Sequence, residues 1–245
     1  MAIEFSALRI DALDPLRLAD FWARVLRWDV HDSPVGDVLV APGDATSYPL
    51  RFGRTDRRKT IQNRIHLDLT SDSPGHQREL VDRVLALGGR HVDVGQRGDE
   101  GHVVLADPEG NELCVVEAGN GFLAGCGRIG AINCDGTQAL GYFWSEALGW
   151  PLVWDQDEET AIQSPRGGSK ITWSGPPLMA RNGKDRVQLD VAVPADDDVE
   201  AELQRLVALG ATPADGLDTD DEVTMLDPDG NQFAVLTAAV TPRSS

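Results

Sequence analysis

A histidine and an aspartate two residues apart, His66 and Asp68, are the pair in this sequence whose types and spacing first suggest chemistry. They lie in the run KTIQNRIHLDLTSD, from Lys59 to Asp72, where they alternate with Ile65, Leu67 and Leu69. A strand repeats every two residues, so the three apolar side chains fall on one face and His66 and Asp68 on the other. An imidazole titrates near neutral pH and can both give and accept a hydrogen bond, which makes His66 the candidate acid or base. The pattern returns in GKDRVQLDVAVPADDD, from Gly183, with Val187, Leu189 and Val191 as the apolar face. There Gln188 takes the histidine's place while Asp190 keeps the carboxylate, so the two copies differ in the group that could move a proton.

Other chemistries find little support. The sequence has no Ser/His/Asp order, no phosphate-cradling glycine loop and no dinucleotide fingerprint, and Gly167-Gly168 reads as a hairpin loop. Cys114, Cys126 and Cys134 are an odd number without paired spacing, which argues against a disulfide framework and a cysteine-rich zinc site and suggests buried free thiols. A formal charge of −18 repels nucleic acid and anionic membranes and favours solubility or a cationic small molecule. No stretch approaches the roughly 20 apolar residues of a membrane span, and MAIEFSALRIDALDPL lacks the pattern of a signal peptide. A cytoplasmic location is therefore expected.

The elements that position these residues occur twice. LADFWARVLRWDV from Leu18 is echoed by LGYFWSEALGWPL from Leu140, and NRIHLDL by DRVQLDV. VDRVLALGGRHVD from Val81 is echoed by LQRLVALGATPAD from Leu203, and VVLADPEGNELCVV from Val103 by VTMLDPDGNQFAVL from Val223. Four landmarks in one order at a spacing of roughly 120 residues mark a tandem duplication. The expected units are 1–119 and 127–245, joined at 120–126; the apolar stretch FLAGCG from Phe122 is too short for a flexible spacer, so the halves should pack closely. The first helix should open at Asp14-Pro15 and bury Leu18, Phe21, Trp22, Val25 and Leu26. The second should open at Ser73-Pro74, carry Leu80, Val81, Val84, Leu85 and Leu87, and stop at Gly88. Asp107 to Asn111 and Asp227 to Asn231 read as turns between strands. Phe143 and Trp144 belong to the core, whereas Trp28, Trp150 and Trp154 follow the helices where a cleft lip could form, core packing being the expectation preferred for each. The tail VTPRSS after Ala239 has little to bury and should fray.

In this order, the FW helices, the KxxxNRxHLDL strand and the DPEGNE and DPDGNQ turns resemble the vicinal oxygen chelate superfamily of glyoxalases, bleomycin-resistance proteins and extradiol dioxygenases. The resemblance spans nearly the whole chain. It implies an α+β fold of tandem glyoxalase-like domains, built from four βαβββ modules whose concave mixed sheets pair to form clefts. Metal-using members take ligands from places that correspond here to Ala7, Arg51, His66 and Cys114 in one half and Ile129, Thr172, Gln188 and Ala234 in the other. Most of these cannot bind a divalent ion. His66 and Cys114 are the plausible donors, fewer than the three or so that a zinc-type site uses, so no stoichiometric metal and no other cofactor is expected. On the implied concave faces, Arg9, Asp11, Arg51, His66, Asp68, Cys114, Asn133, Gln188 and Asp190 are candidate ligand-binding residues; for Arg9, Asp11, Arg51, Asp68, Asn133 and Asp190 a structural pairing across the sheet is an equal alternative. The functions left open are a small-molecule binding protein of the resistance-protein kind, a metal-dependent lyase, isomerase or dioxygenase, a metal-free enzyme using His66, and a fold kept for protein interaction. Either a monomer whose halves act as a pseudo-dimer or a homodimer is expected.

Overall fold

The computed structural model describes residues 3–32, 37–44, 46–98, 100–180, 183–214, 219 and 221–237. The tail for which fraying is expected lies outside them.

Four modules follow one another. The first is β1 (Glu4–Ala12), α1 (Pro15–Leu26), β2 (Asp29–Asp32), β3 (Val38–Ala41) and β4 (Leu50–Arg54). The second is β5 (Ile65–Leu69), α2 (Pro74–Ala86), β6 (Arg90–His91), β7 (Val103–Ala106) and β8 (Glu112–Val115). The third is β9 (Ile129–Asp135), α3 (Gln138–Leu148), β10 (Leu152–Gln156), β11 (Glu159–Gln163) and β12 (Lys170–Ser174). The fourth is β13 (Val187–Ala192), α4 (Val199–Leu209), β14 (Thr212–Pro213), β15 (Glu222–Leu226) and β16 (Gln232–Leu236).

The strands form two eight-stranded mixed sheets, and each sheet draws on both halves. The first has the order β14-β15-β16-β13-β1-β4-β3-β2, so module one pairs with module four; the second has the order β10-β11-β12-β9-β5-β8-β7-β6, so module two pairs with module three. The central seams, β1 with β13 and β5 with β9, are antiparallel. The fold is thus the α+β tandem arrangement of βαβββ modules that the resemblance implies.

Alternation works as the sequence suggests. In β5, Ile65, Leu67 and Leu69 are buried while His66 and Asp68 are half-buried. One hydrophobic cluster runs through both sheets and contains Leu67, Leu189, Trp22, Phe143 and Trp144. Asp14 caps α1, its side chain accepting from the Arg17 amide, and Leu18, Phe21, Trp22, Val25 and Leu26 are buried. Ser73 caps α2 in the same way, and Leu80 and Val84 are its buried residues. The Asp107 turn locks a helix to a sheet across modules. Asp107 is fully buried, accepts from the Glu109 and Asn111 amides at 2.9 Å, and accepts from Trp22 Nε1 of α1 at 3.2 Å. Gly110 at φ 93° supplies the left-handed residue that this turn needs. Phe122 and Leu123 pack beside Val116 and Ala131.

Three expectations change. Cys134 is buried, but Cys114 and Cys126 are only half-buried, because Cys114 lines an open hollow and Cys126 lies in the loop between the halves. Trp28 and Trp150 are core residues, whereas Trp154, on the edge strand β10, is 36 % exposed. Ile129, placed by sequence offset as the counterpart of Ala7, is not in that position. Ala7 faces Asp190, and the residue facing Asp68 in the second sheet is Ala131, while Ile129 faces Leu69.

Candidate functional site

The two central seams place matching positions on matching faces, so the polar faces of the two sheets can be compared residue by residue. Asn133 faces His66 and Thr172 in the second sheet, as Arg9 faces Gln188 and Arg51 in the first. Cys114 neighbours Asp68 as Ala234 neighbours Asp190. By the same count along the outer strands, His102 takes the place of Glu222.

In the first sheet these positions lock one another. Arg51 donates from Nη1 to Asp190 at 2.8 Å, from Nε to Asp37 at 2.6 Å and from Nη2 to Glu222 at 3.3 Å. Arg9 donates to Asp11 at 3.0 Å and to Glu222 at 2.8 Å, and Lys184 reaches Asp11 at 2.9 Å. Asp190 is completely buried, and Gln188, Asp11 and Arg51 are nearly so. Burial pushes the Asp190 carboxyl up to about 6, against the opposing pull of Arg51 and Arg9, and its Oδ1 has no hydrogen-bond partner. The Arg51 guanidinium is held protonated more firmly than usual, since its three carboxylates outweigh its own burial. Of the nine candidate ligand-binding residues, Arg9, Asp11, Arg51, Gln188 and Asp190 belong to this face.

The other four, His66, Asp68, Cys114 and Asn133, meet on the second sheet, where both arginines are replaced by neutral residues. His66 Nε2 lies 3.4 Å from Asp68 Oδ1. The Cys114 thiol is pushed well up, first by burial and then by the charge of Asp68, to which it donates a hydrogen bond. A hollow of about 320 Å³ opens over these residues, with Glu117, His102 and Phe122 on its walls. A second hollow of about 260 Å³ adjoins it, shares Asp68, Asn133 and Phe122, and is walled by Thr172, Trp154 and Glu159. Phe122 and Trp154 meet edge to face with ring centroids 6.0 Å apart.

Sequence reasoning missed Glu159, His102 and Glu117 as walls of this hollow, and for Trp154 it preferred core packing over the lip of a cleft, which is where the structure places it. The signal for His102 was present, as its place in the repeat matches Glu222. Trp154 could be recognised only once β10 was known to be the sheet's edge. A donor for a metal was also missed. Among the described residues His66, Asp68 and Cys114 each offer one ligand atom, all within 4.8 Å of one another, so Asp68 joins the two donors expected from the resemblance. No helix among the described residues is long and apolar enough to cross a membrane.

The same architecture is found in known proteins. Glyoxalase I from Zea mays superposes with a TM-score of 0.68 at 12% identity, covering 96% of this chain and 92% of the maize chain. A candidate dioxygenase from Bacillus subtilis superposes with a TM-score of 0.62 at 15% identity, covering 96% of this chain and 85% of that one. At these identities the likeness is one of fold. No curated protein sequence matches the chain. The model of the glyoxalase-like domain family matches twice, over residues 7–116 and 130–236. With that match covering most of its length in two copies, and with its paired βαβββ sheets, the chain belongs to the glyoxalase-like domain family of the vicinal oxygen chelate superfamily.

Proposed function

We propose that this protein binds a small organic cation on the polar face of its second sheet, in the hollow around His66, Asp68, Cys114 and Asn133, and that it does so without a metal. The observation that carries this is the contrast between two equivalent carboxylates. Asp190 is closed off by Arg51, while on the second sheet the place of Arg51 is held by the neutral Thr172, and Asp68 shares the hollow with Thr172 and Asn133 and borders open space. A carboxylate paired with no arginine or lysine, its neighbour being the His66 imidazole at 3.4 Å, with Glu117 and Glu159 on the same walls, makes the hollow acidic. Ligand recognition by charge needs an accessible charged group, and on the first face the carboxylates are already engaged by Arg9, Arg51 and Lys184. Phe122 and Trp154 supply flat apolar contact for the rest of the molecule, and the Phe122 ring already carries a cation, the Lys170 ammonium 4.3 Å from its centroid. His66 and Asn133 supply the hydrogen bonds that fix its orientation.

The test is a thermal-shift screen of organic amines, guanidines and matched carboxylates, followed by titration calorimetry. Binding of a cation should weaken about tenfold or more in Asp68→Asn, the loss expected for one charged hydrogen bond. It should also weaken in His66→Ala, with little change in Gln188→Ala. Unchanged affinity in both Asp68→Asn and His66→Ala would overturn the proposal. So would a large fall in the ligand-free melting temperature of His66→Ala, which would make that histidine structural.

One observation favours a second reading. The three donors of His66, Asp68 and Cys114 fit a zinc-type ion, which accepts nitrogen, oxygen and sulfur ligands from about three residues and keeps a position open. Such an ion would supply Lewis acidity to a bound carbonyl or water. The metal-free reading is preferred because burial and Asp68 both hold the proton on Cys114, while a metal takes the thiolate. Asn133 and Ala131 on the facing strand add no ionisable donor. Elemental analysis of protein purified without chelator separates the two. Near one zinc, nickel or iron per chain would establish the second.

A further inference from the structure

The chain passes between its sheets twice, along residues 55–64 from β4 to β5 and along residues 175–186 from β12 to β13. These connections touch, for Arg186 Nη1 donates to the Arg57 carbonyl at 2.8 Å. Between them lies a cleft of about 100 Å³, separate from the hollow over His66. Its lining includes six cations, Arg57, Arg58, Lys59, Arg64, Lys184 and Arg186, and two carboxylates, Asp11 and Asp185. On a chain with a net charge of −18, such a concentration of positive charge needs a cause.

Four of the six have carboxylates. Lys59 meets Glu112 at 2.5 Å, Arg64 meets Asp135 at 2.7 Å, Lys184 meets Asp11 at 2.9 Å, and Arg186 pairs with Glu109. Arg57 and Arg58 have no ion pair among the described residues, although they stand beside one another at the cleft. Arg57 is laid across the other connection, since a Cβ on Gly183 would come within 2.8 Å of its Nη2. Arg64, 8 % exposed, keeps a buried Nε with no acceptor. Two uncompensated guanidinium groups at the edge of a small cavity, with further N–H donors behind them, are arranged as tetrahedral oxyanions are bound.

We propose that this cleft binds a phosphate group, with Arg57 and Arg58 as its charged ligands. An anion there would lie between the two connections, held by Arg57 and Arg58 of the first, and because it would bind the folded chain its binding would be visible in the stability of the whole chain.

The experiment uses the full chain and inorganic phosphate at millimolar concentration, with sodium chloride at equal ionic strength as the reference. Phosphate at high concentration stabilises folded proteins in general, so the effect must saturate and must depend on the arginines. A saturable rise in melting temperature is expected for the wild type. Calorimetric affinity should fall about tenfold or more in Arg57→Gln/Arg58→Gln. Retention of part of the affinity in Arg57→Lys/Arg58→Lys would support the site further. Because both side chains are exposed, the glutamine variant should melt near the wild type without phosphate. Absence of a rise, an equal rise with chloride, or an undiminished affinity in the glutamine variant would overturn the proposal.

Discussion

Replacing Asp190 by asparagine should make the protein's stability less dependent on pH, and the structure gives both the sign and the size. The cluster around Asp190 holds three cations, Arg9, Arg51 and Lys184, against four carboxylates, Asp11, Asp37, Asp190 and Glu222. Asp190 is the most deeply buried of the four, and burial raises its carboxyl from the ordinary 3.8 to about 6. A carboxyl raised in the folded state contributes stability that is complete below about pH 4 and is lost as pH rises through about 6. At about 1.4 kcal/mol for each tenfold change in proton affinity, the loss amounts to roughly 3 kcal/mol. An asparagine side chain carries no such proton. Its loss of the bond to Arg51 is a pH-independent cost, and Arg51 retains Asp37 and Glu222. The quantity to measure is therefore the difference in urea-unfolding free energy between Asp190→Asn and wild type at several values from pH 4 to pH 8. It should shift in favour of the variant by up to roughly 3 kcal/mol as pH rises. A difference that is flat, or that moves against the variant, would mean that Arg51 keeps Asp190 ionised throughout and that burial does not dominate.

Residues 1–119 produced alone should be insoluble or self-associate, because the cut removes β13 from β1 and β9 from β5; a stable monomer by light scattering would count against this. Gly141→Ala should lower the melting temperature, since the new Cβ would lie 2.0 Å from Thr160 Oγ1 and overpacking of this kind costs about 1–3 kcal/mol. An unchanged melting curve would show that α3 can lift off β11 freely. Thr172→Arg should bring to Asp68 the partner that Arg51 gives Asp190, abolishing cation binding without lowering the melting temperature; calorimetry that finds binding intact would refute the equivalence of the two faces.

The fold was legible because its signals are local and repeated. Capped helix starts at Asp14 and Ser73, the alternation around His66 and the Asp107 turn each depend on residues close in sequence. The candidate site was legible in part. Alternation put His66 and Asp68 on a polar face, and the family resemblance, through its ligand places and concave faces, brought in Cys114 and Asn133. The pairing of modules was not legible, because the repeat is symmetric and an apolar strand edge does not name its partner. For that reason the locking of Arg51 by Asp190, 139 residues away, could not be foreseen. Nor could the exposure of Trp154, which follows from β10 being the end of a sheet rather than from its neighbours in sequence.

The crossed pairing also explains how a duplicated chain can hold two unlike faces. Each sheet takes one module from each half, so the first face combines Arg9 and Arg51 from the first half with Asp190 and Glu222 from the second. An ion network that spans the halves holds the first and last modules together, but it is largely buried and its charged groups are engaged with one another. On the second face the same four positions hold Asn133, Thr172, Asp68 and His102. Two arginines fewer leave one carboxylate with only His66 and the Cys114 thiol beside it, and space above it. Because a buried ion pair gains little net stability over well-packed apolar groups, the locked face is better understood as setting which modules pair than as adding strength. The open face is under no such constraint, since its seam is already closed by Ile65, Leu67 and Ile132 beneath it. Its polar residues are therefore free to answer to a ligand, and Asp68, its one carboxylate in the central strands without an arginine, is where that ligand's charge would be read.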